Sequence, residues 1–308
     1  MTQAAAGAVA NGRQAKPNGV PTAGAGPFSL FERMVAWRYL RARRKETVIS
    51  VIASISFLGI MLGVATLIIV MAVMNGFREE LLTRILGING HLILQPIDRP
   101  LDDYDAVAKR IDGVPGVKMA IPLVEGQVLA SGKVGAGTGA LVRGIREADL
   151  EKIDLVSKQL KSGTLDGFDE SGGVAIGVRM AENLGLELGD TITLISPDGD
   201  VTPFGTTPRV KAYKITAIFD IGMSEYDSTI IFMPFTEAQA YFNFGDKAQT
   251  IEIYLDNPDN VDQMRPKIEQ AAKRELYLVD WRTRNQTFFS ALEVERNVMF
   301  MILTLIVL

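Results

Sequence analysis

Hydrophobic and polar positions follow two regimes along this chain. From Thr47 to Phe77 no charged residue occurs, a run of 31 residues. As a helix it is about 46 Å long at about 1.5 Å per residue, whereas a bilayer core of about 30 Å needs roughly 20 residues. The pattern predicts a membrane-spanning helix that overshoots the bilayer and continues, tilted or protruding, through Asn75, Phe77 and Leu81. A second apolar run begins at Val298 and extends to Leu308, about 16 Å of helix. This reads as the first part of a second span, so the chain is expected to be the front of a polytopic membrane protein, with a large polar domain between its first two spans. Within the first span Ser56, Gly59, Gly63 and Thr66 recur at spacings of three and four and so share one face. Such a stripe lets another backbone approach closely, either a helix of the same molecule or one of a second subunit.

Between the spans the period changes repeatedly. His91 to Leu94 reads as a strand, Asp103 to Ile111 as a helix stopped by Gly113 and Pro115, and Leu123 to Ala130 and Ala140 to Ile145 as strands joined by a Gly-rich hairpin. Further on, Thr250 to Leu255 reads as a strand, Pro258 to Arg274 as a helix and Leu276 to Val279 as a strand. Together these give β-α-β-β, an interruption, then β-α-β, a split α+β arrangement. The interruption has its own grammar: strands near Val174, at Thr191 to Ser196, Arg209 to Phe219 and Thr229 to Met233, and helices at Val178 to Leu184 and Glu237 to Phe242. It reads as a small β-rich insertion. The stretch Pro197 to Pro208 reads as a twelve-residue loop, long for a hairpin, with Thr202, Pro203, Phe204 and Gly205 at its middle. An aromatic stiffened by proline suits protein recognition; the alternative is that Phe204 folds back on its own domain. From Trp281 a rigid helix without Gly or Pro is expected to run into the second span.

The resulting boundaries are a disordered tail at 1–27, a cytoplasmic helix at 28–46, the first span at 47–77, the two halves of the split domain at 78–151 and 247–280, the insertion at 152–246 with its loop at 197–208, and the helix into the second span at 281–308. The tail is rich in Ala, Gly, Pro and Asn and lacks the apolar groups that would offset ordering entropy. The helix after it opens on the capping-box pattern Ser29 to Glu32. It lies in the headgroup layer or extends the span.

Charge sets the orientation. Up to Lys45 eight basic residues face Glu32 alone, a net +7 that leaves −11 for the remainder of a chain of net charge −4. Five basic residues lie between Arg38 and Lys45, immediately before the span. The positive-inside rule therefore places the N-terminus in the cytoplasm and the acidic domain on the other side. The apolar run is far longer than the h-region of a cleaved signal peptide, so an uncleaved anchor is expected. The acidic balance speaks against nucleic acid as a partner.

Catalytic chemistry is not legible. Cysteine is absent, which removes disulfides, thiolate metal sites and cysteine nucleophiles. His91 is the one histidine, at the start of a strand near the membrane; no second histidine is available for a zinc site, and no serine is paired with it in a triad pattern. Gly135 to Gly139 lacks the Gly-Lys-Ser/Thr ending of a phosphate loop, and Asp198-Gly199-Asp200 lacks the regular carboxylates of a calcium loop. No catalytic, metal or cofactor site is expected.

Several segments, in order, carry a family likeness: Phe31 to Arg44 (FERMVAWRYLRARR), Met74 to Leu81 (MNGFREEL), Ile88 to Leu94 with Gly90-His91, Val142-Arg143-Gly144-Ile145, Leu184 to Asp190 (LGLELGD), and Trp281 onward with Asn285, Phe288 and Ala291-Leu292-Glu293. From about Pro27 to Leu308 the chain resembles the LolC/LolE-type permeases of the lipoprotein-releasing ABC transporter. The resemblance implies four spans, of which this sequence holds the first and part of the second. The large periplasmic domain between them would be a porter-like domain carrying a sabre-like insert. The cytoplasmic loop that docks on the ATPase follows the second span in the family and is not in this sequence.

The resemblance also implies a non-catalytic subunit in the bacterial inner membrane that pairs with a second permease subunit, as a homo- or heterodimer, and with a separate LolD-type ATPase using ATP and Mg. Its implied substrate is a lipoprotein drawn from membrane lipid and passed to a LolA-type periplasmic chaperone. Thr202, Pro203, Phe204 and Gly205 align with the Thr-Pro-hydrophobic-Gly pattern of the LolC hook that holds the chaperone. Met71, Met74, Asn75, Phe77 and Leu81 would line the lipid-accepting cavity, where methionine adapts to acyl chains; plain membrane burial accounts for the same residues. Two other readings stay open: a MacB-like or FtsX-like mechanotransmission permease for efflux or cell-envelope regulation, and a membrane-tethered periplasmic binding or scaffold module.

Overall fold

The computed structural model describes residues 30–41, 47–97, 100–134, 137–202 and 205–307. The expected tail, Ser29 of the capping box and the loop residues Pro203 and Phe204 lie outside the described residues. The chain divides within its long helix, into a unit up to Thr66 and one from Leu67 to Ile306.

The first unit holds the helix Leu30–Arg41 and the opening of the helix Thr47–Ile88. Phe31, Met34, Trp37 and Tyr39 of the former are exposed. The long helix is apolar on every side, and only 6% of its most apolar stretch is buried. Water cannot stabilise such a surface, whereas lipid can. Among the described residues it is the one helix long and apolar enough to cross a membrane.

Among the described residues the second unit contains ten strands: β1 (Leu92–Pro96), β2 (Val117–Ser131), β3 (Thr138–Ile145), β4 (Leu160–Gly163), β5 (Val174–Gly177), β6 (Thr191–Thr202), β7 (Gly205–Phe219), β8 (Ile230–Pro234), β9 (Thr250–Leu255) and β10 (Leu276–Asp280). Four form an antiparallel sheet in the order β10-β1-β9-β2. The helix Tyr104–Asp112 connects β1 to β2, and the helix Val261–Ala272 connects β9 to β10. Two interleaved β-α-β units therefore make a split α+β layer. Alternation along β9 sends Ile251, Ile253 and Leu255 to the face covered by these helices, where Val107, Ile111, Met264 and Ile268 bury. Glu252 and Tyr254 go to the opposite face.

The remaining pairings close on themselves. Starting from the C-terminal half of β2, hydrogen-bonded neighbours run β2-β3-β8-β5-β7-β6 and back to β2, a six-stranded ring, with β4 added outside β7. One strand thus serves both bodies: Val117 to Leu123 of β2 pair with β9, and Val124 onward pair with β3.

Three expectations change. β3, grouped from sequence with the first half of the split domain, pairs with β8 and belongs to the ring, because local alternation carries no record of a partner some ninety residues away. The expected loop 197–208 is a continuation of two strands: after a register shift between Ser196 and Asp200 the ladder resumes and reaches Thr202↔Gly205. Pro197, Asp198-Gly199 and Pro208 read as turn residues, yet the shift absorbs them into a bulged arm. Finally, the expected rigid helix from Trp281 is two pieces, Trp281–Arg284 and Gln286–Val307. Asn285 interrupts them with φ −109°, its backbone N–H and side-chain Nδ2 both donating to the Trp281 carbonyl at 3.1 and 2.8 Å.

Candidate functional site at the end of the long helix

The long helix does not stop at a bilayer boundary; it runs to Ile88 and ends inside the folded domain. Its last turns bury Ile85, Leu86 and Ile88. Leu86 enters the core beneath the sheet helices, and Ile88 enters the second core with Ile121, Leu123, Ile153 and Val156. Chain direction then reverses at Gly90, where a Cβ would lie 2.8 Å from Glu252 Cβ and 3.0 Å from the Ile253 nitrogen, so only glycine fits without displacing β9.

A buried cluster of charge closes around this helix end. Arg143 of β3 is 1% exposed, and Glu252 of β9 is 2% exposed. The Arg143 guanidinium spends its three nitrogens on three different elements. Nε donates to Glu125 of β2 at 2.8 Å, Nη1 to the Ile88 carbonyl at 2.8 Å, and Nη2 makes a 2.6 Å ion pair with Glu252 Oε2. That last contact is short but off the hydrogen-bond axis, so its strength is Coulombic. Tyr254 Oη also donates to the Ile88 carbonyl, at 2.9 Å, and Glu252 Oε2 accepts the Gly90 N–H at 3.1 Å. Arg284 completes the set, 3.5 Å from Glu252 Oε1 and 3.8 Å from Glu125 Oε2.

Two arginines and two glutamates balance, as a buried cluster requires. Burial alone would push the Arg143 guanidinium down; Glu252 and Glu125 outweigh it and hold the group well above its ordinary value. Burial pushes the Tyr254 phenol up, with Glu252 adding to it. The cluster joins the long helix, the sheet, the ring and the turn before the terminal helix.

Two further contacts brace the same helix end. Arg84 Nη1 donates to the Ile221 carbonyl at 2.7 Å, and Asn89 Nδ2 to Tyr226 Oη at 2.8 Å. The Asp227 carboxylate shapes that loop by accepting from the Ile221 and Gly222 N–H groups at 2.8 and 3.1 Å. His91 is buried next to the cluster. Its Nδ1 accepts the Leu255 N–H at 2.9 Å, which places the ring proton on Nε2, and burial lowers its pKa.

The residues singled out from sequence fall elsewhere. Met74, Phe77 and Leu81 share one face of the long helix at 100° per residue, with Met71 and Asn75 on the adjoining strip. Met71, Asn75 and Phe77 are exposed, and Met74 and Leu81 half-buried. Ser56, Gly59 and Thr66 are exposed and Gly63 half-buried; a Cβ on Gly59 would meet no atom within 4 Å. Thr202 and Gly205 form the last described pair of the arm, where Gly205 has φ +123°, a conformation that favours glycine.

The arm's base is tied down at several points. Arg209 Nη1 donates to the Tyr241 carbonyl, Tyr241 Oη donates to the Arg209 carbonyl at 3.3 Å, and Lys211 Nζ and Tyr213 Oη both donate to Glu237, at 2.6 and 2.8 Å. Among the described residues no group of His, Asp or Glu is arranged to hold a metal ion.

The charge cluster was not assigned from sequence. Its trace was there: Arg143 and Glu252 are lone charges inside otherwise apolar strands, the pattern of a paired buried ion rather than of a solvated face.

A long apolar helix locked into a split α+β sheet with a strand ring built on one of its strands defines a membrane-anchored α+β domain. Residues 53–271 match the family described as MacB-like periplasmic core domain, and the chain belongs to that family. Within it, the chain is similar to the lipoprotein-releasing system transmembrane protein LolC of Neisseria meningitidis serogroup B, 31% identical over 286 residues covering 91% of this chain and 68% of that protein. LolC of Xylella fastidiosa is 28% identical over 281 residues, covering 91% and 67%, and LolE of Haemophilus influenzae 24% over 279 residues, covering 89% and 66%. The chain thus spans about two thirds of these relatives' length.

Proposed function

We propose that this chain is the permease subunit of an ATP-driven transporter that extracts lipoproteins from the outer leaflet of the bacterial inner membrane and hands them to a periplasmic chaperone. The observation that carries the reading is the collinear similarity to LolC over nine-tenths of the chain. In this reading the N-terminus is cytoplasmic, as the basic cluster before the span favours, and the sheet and ring are periplasmic. The chain itself performs no covalent chemistry: ATP and Mg are used by a partner ATPase, and a second permease subunit completes the membrane part.

The geometry supplies a route for the work. Movement of the long helix reaches the sheet and the ring through the Ile88 carbonyl and Arg143 rather than through a flexible linker. The Met71 to Leu81 strip offers apolar, adaptable side chains for acyl chains. In this reading Thr202, Pro203, Phe204 and Gly205 are the residues that meet the chaperone, and the arm that leads to them is braced at Arg209 and Tyr241.

Depletion of the chain in its host tests the proposal. Outer-membrane lipoproteins should accumulate in the inner-membrane fraction and return on re-expression. Unchanged lipoprotein fractionation, with an efflux or division defect instead, would favour the mechanotransmission reading shared by the wider family.

A further inference from the structure

We infer that Arg284 is the make-and-break member of the buried charge cluster, engaging Glu252 and Glu125 when the terminal helix shifts and so passing that shift to the sheet and the ring. The inference deepens the permease reading and rests on it for its consequence, though not for its geometry.

Three observations carry it. Glu252 is 2% exposed, yet its Oε1 has no hydrogen-bond partner among the described residues, while its Oε2 accepts the Gly90 N–H and pairs with Arg143. A buried carboxylate oxygen in that state attracts a donor strongly.

Arg284 Nη1 stands 3.5 Å from that oxygen and its Nη2 3.8 Å from Glu125 Oε2, the two longest ion pairs of the cluster. A displacement of roughly 0.7 Å converts the first contact into a hydrogen bond of ordinary length. Arg284 is also one-third exposed, so its disengaged state keeps water on the guanidinium.

The third observation is where Arg284 sits. It ends the single turn Trp281–Arg284, which is anchored on one side: Asp280 accepts the Thr283 N–H at 2.7 Å, and the Trp281 N–H donates to the His91 carbonyl. On the other side the helix is broken at Asn285 before Gln286–Val307 begins. In this inference a shift of the terminal helix is taken up at that interruption, and Arg284 is the charged side chain immediately before it. The groups facing it are Glu252 from the sheet and Glu125 from the ring half of β2, with Arg143 of the ring paired to both.

Arg284 is therefore a positioning residue whose engagement is the event by which terminal-helix motion loads β9 and β2. Arg143 holds the long helix in both states.

The test uses the chain assembled with its ATPase and second permease subunit in proteoliposomes. Because the chain has no cysteine, spin labels at Glu182→Cys on the helix between β5 and β6 and at Val294→Cys on the terminal helix are unique within it. Distance distributions are recorded without nucleotide and after trapping with ATP and vanadate. The expected result is a nucleotide-dependent shift in the wild type, coupling weakened about 2- to 30-fold in Arg284→Gln, and recovery in Arg284→Lys. An Arg284→Gln shift equal to wild type overturns the inference, and so does a wild type in which trapping moves neither label. Lipoprotein released per ATP hydrolysed is measured on the same liposomes. A wild type that shifts but releases no lipoprotein removes the permease reading while leaving Arg284 to be judged on distance alone.

Discussion

Replacing Arg143 by methionine removes a side chain that bonds to the Ile88 carbonyl, Glu125 of β2 and Glu252 of β9 at once. The Ile88 carbonyl keeps Tyr254 Oη as a donor at 2.9 Å, so that acceptor stays satisfied. Glu252 does not fare so well: at 2% exposure it loses its 2.6 Å partner and becomes an unpaired buried charge, with only Arg284 at 3.5 Å. Breaking a buried pair in this way costs about 3–5 kcal/mol. For a domain of this size each kcal/mol moves Tm by about 2–4 °C, so Arg143→Met should lower it by roughly 6–20 °C. Glu252→Gln on the same background removes the stranded charge and keeps an oxygen for the Gly90 N–H. The double variant should therefore recover at least half of the loss, a strongly non-additive cycle. Trp281, buried at the junction, reports unfolding of detergent-solubilised protein by fluorescence. An Arg143→Met variant within about 1 kcal/mol of wild type, or a double variant whose losses simply add, would refute the account of the cluster.

Other consequences can be checked in the same preparation. Burial lowers the His91 pKa below its unfolded value near 6.5, so the unfolded chain binds more protons and stability falls as pH drops below about 6.5 toward the folded value. His91→Gln, whose amide oxygen can still accept the Leu255 N–H, should flatten that part of the stability profile; an unchanged slope would assign the acid sensitivity elsewhere. Gly90→Ala must push β9 aside and should cost about 1–3 kcal/mol by denaturant titration, whereas Gly59→Ala, open within the chain, should leave chain stability unchanged within about 0.5 kcal/mol. Phe204→Ala should abolish capture of the periplasmic chaperone without moving Tm, and equal recovery with wild type would remove the hook assignment.

How far the sequence could be read depended on the range of the interactions. The helix at Val178–Leu184 and strand β9 follow from periodicity over a few residues and appear where the pattern puts them; the long helix starts at Thr47 as the pattern puts it but runs on to Ile88, past the expected domain boundary at 78. Membership of β3 in the ring depends on β8, and the arm depends on β6 and β7 sustaining pairing past turn-like residues; neither is encoded locally. The break at Asn285 escaped for a related reason. Asn is an acceptable helix residue by propensity, and here its side chain competes for the Trp281 carbonyl. Arg143 and Glu252 are charges in apolar strands, but nothing local pairs them, and only the fold brings them within 2.6 Å.

The central claim is that energy spent at the membrane is used to release lipoprotein through this chain. Proteoliposomes containing the chain with its ATPase and second permease subunit, loaded with an acylated lipoprotein, measure it directly. Transfer of lipoprotein to soluble chaperone that requires ATP hydrolysis is the predicted result; hydrolysis that proceeds while all lipoprotein stays with the vesicles would contradict it.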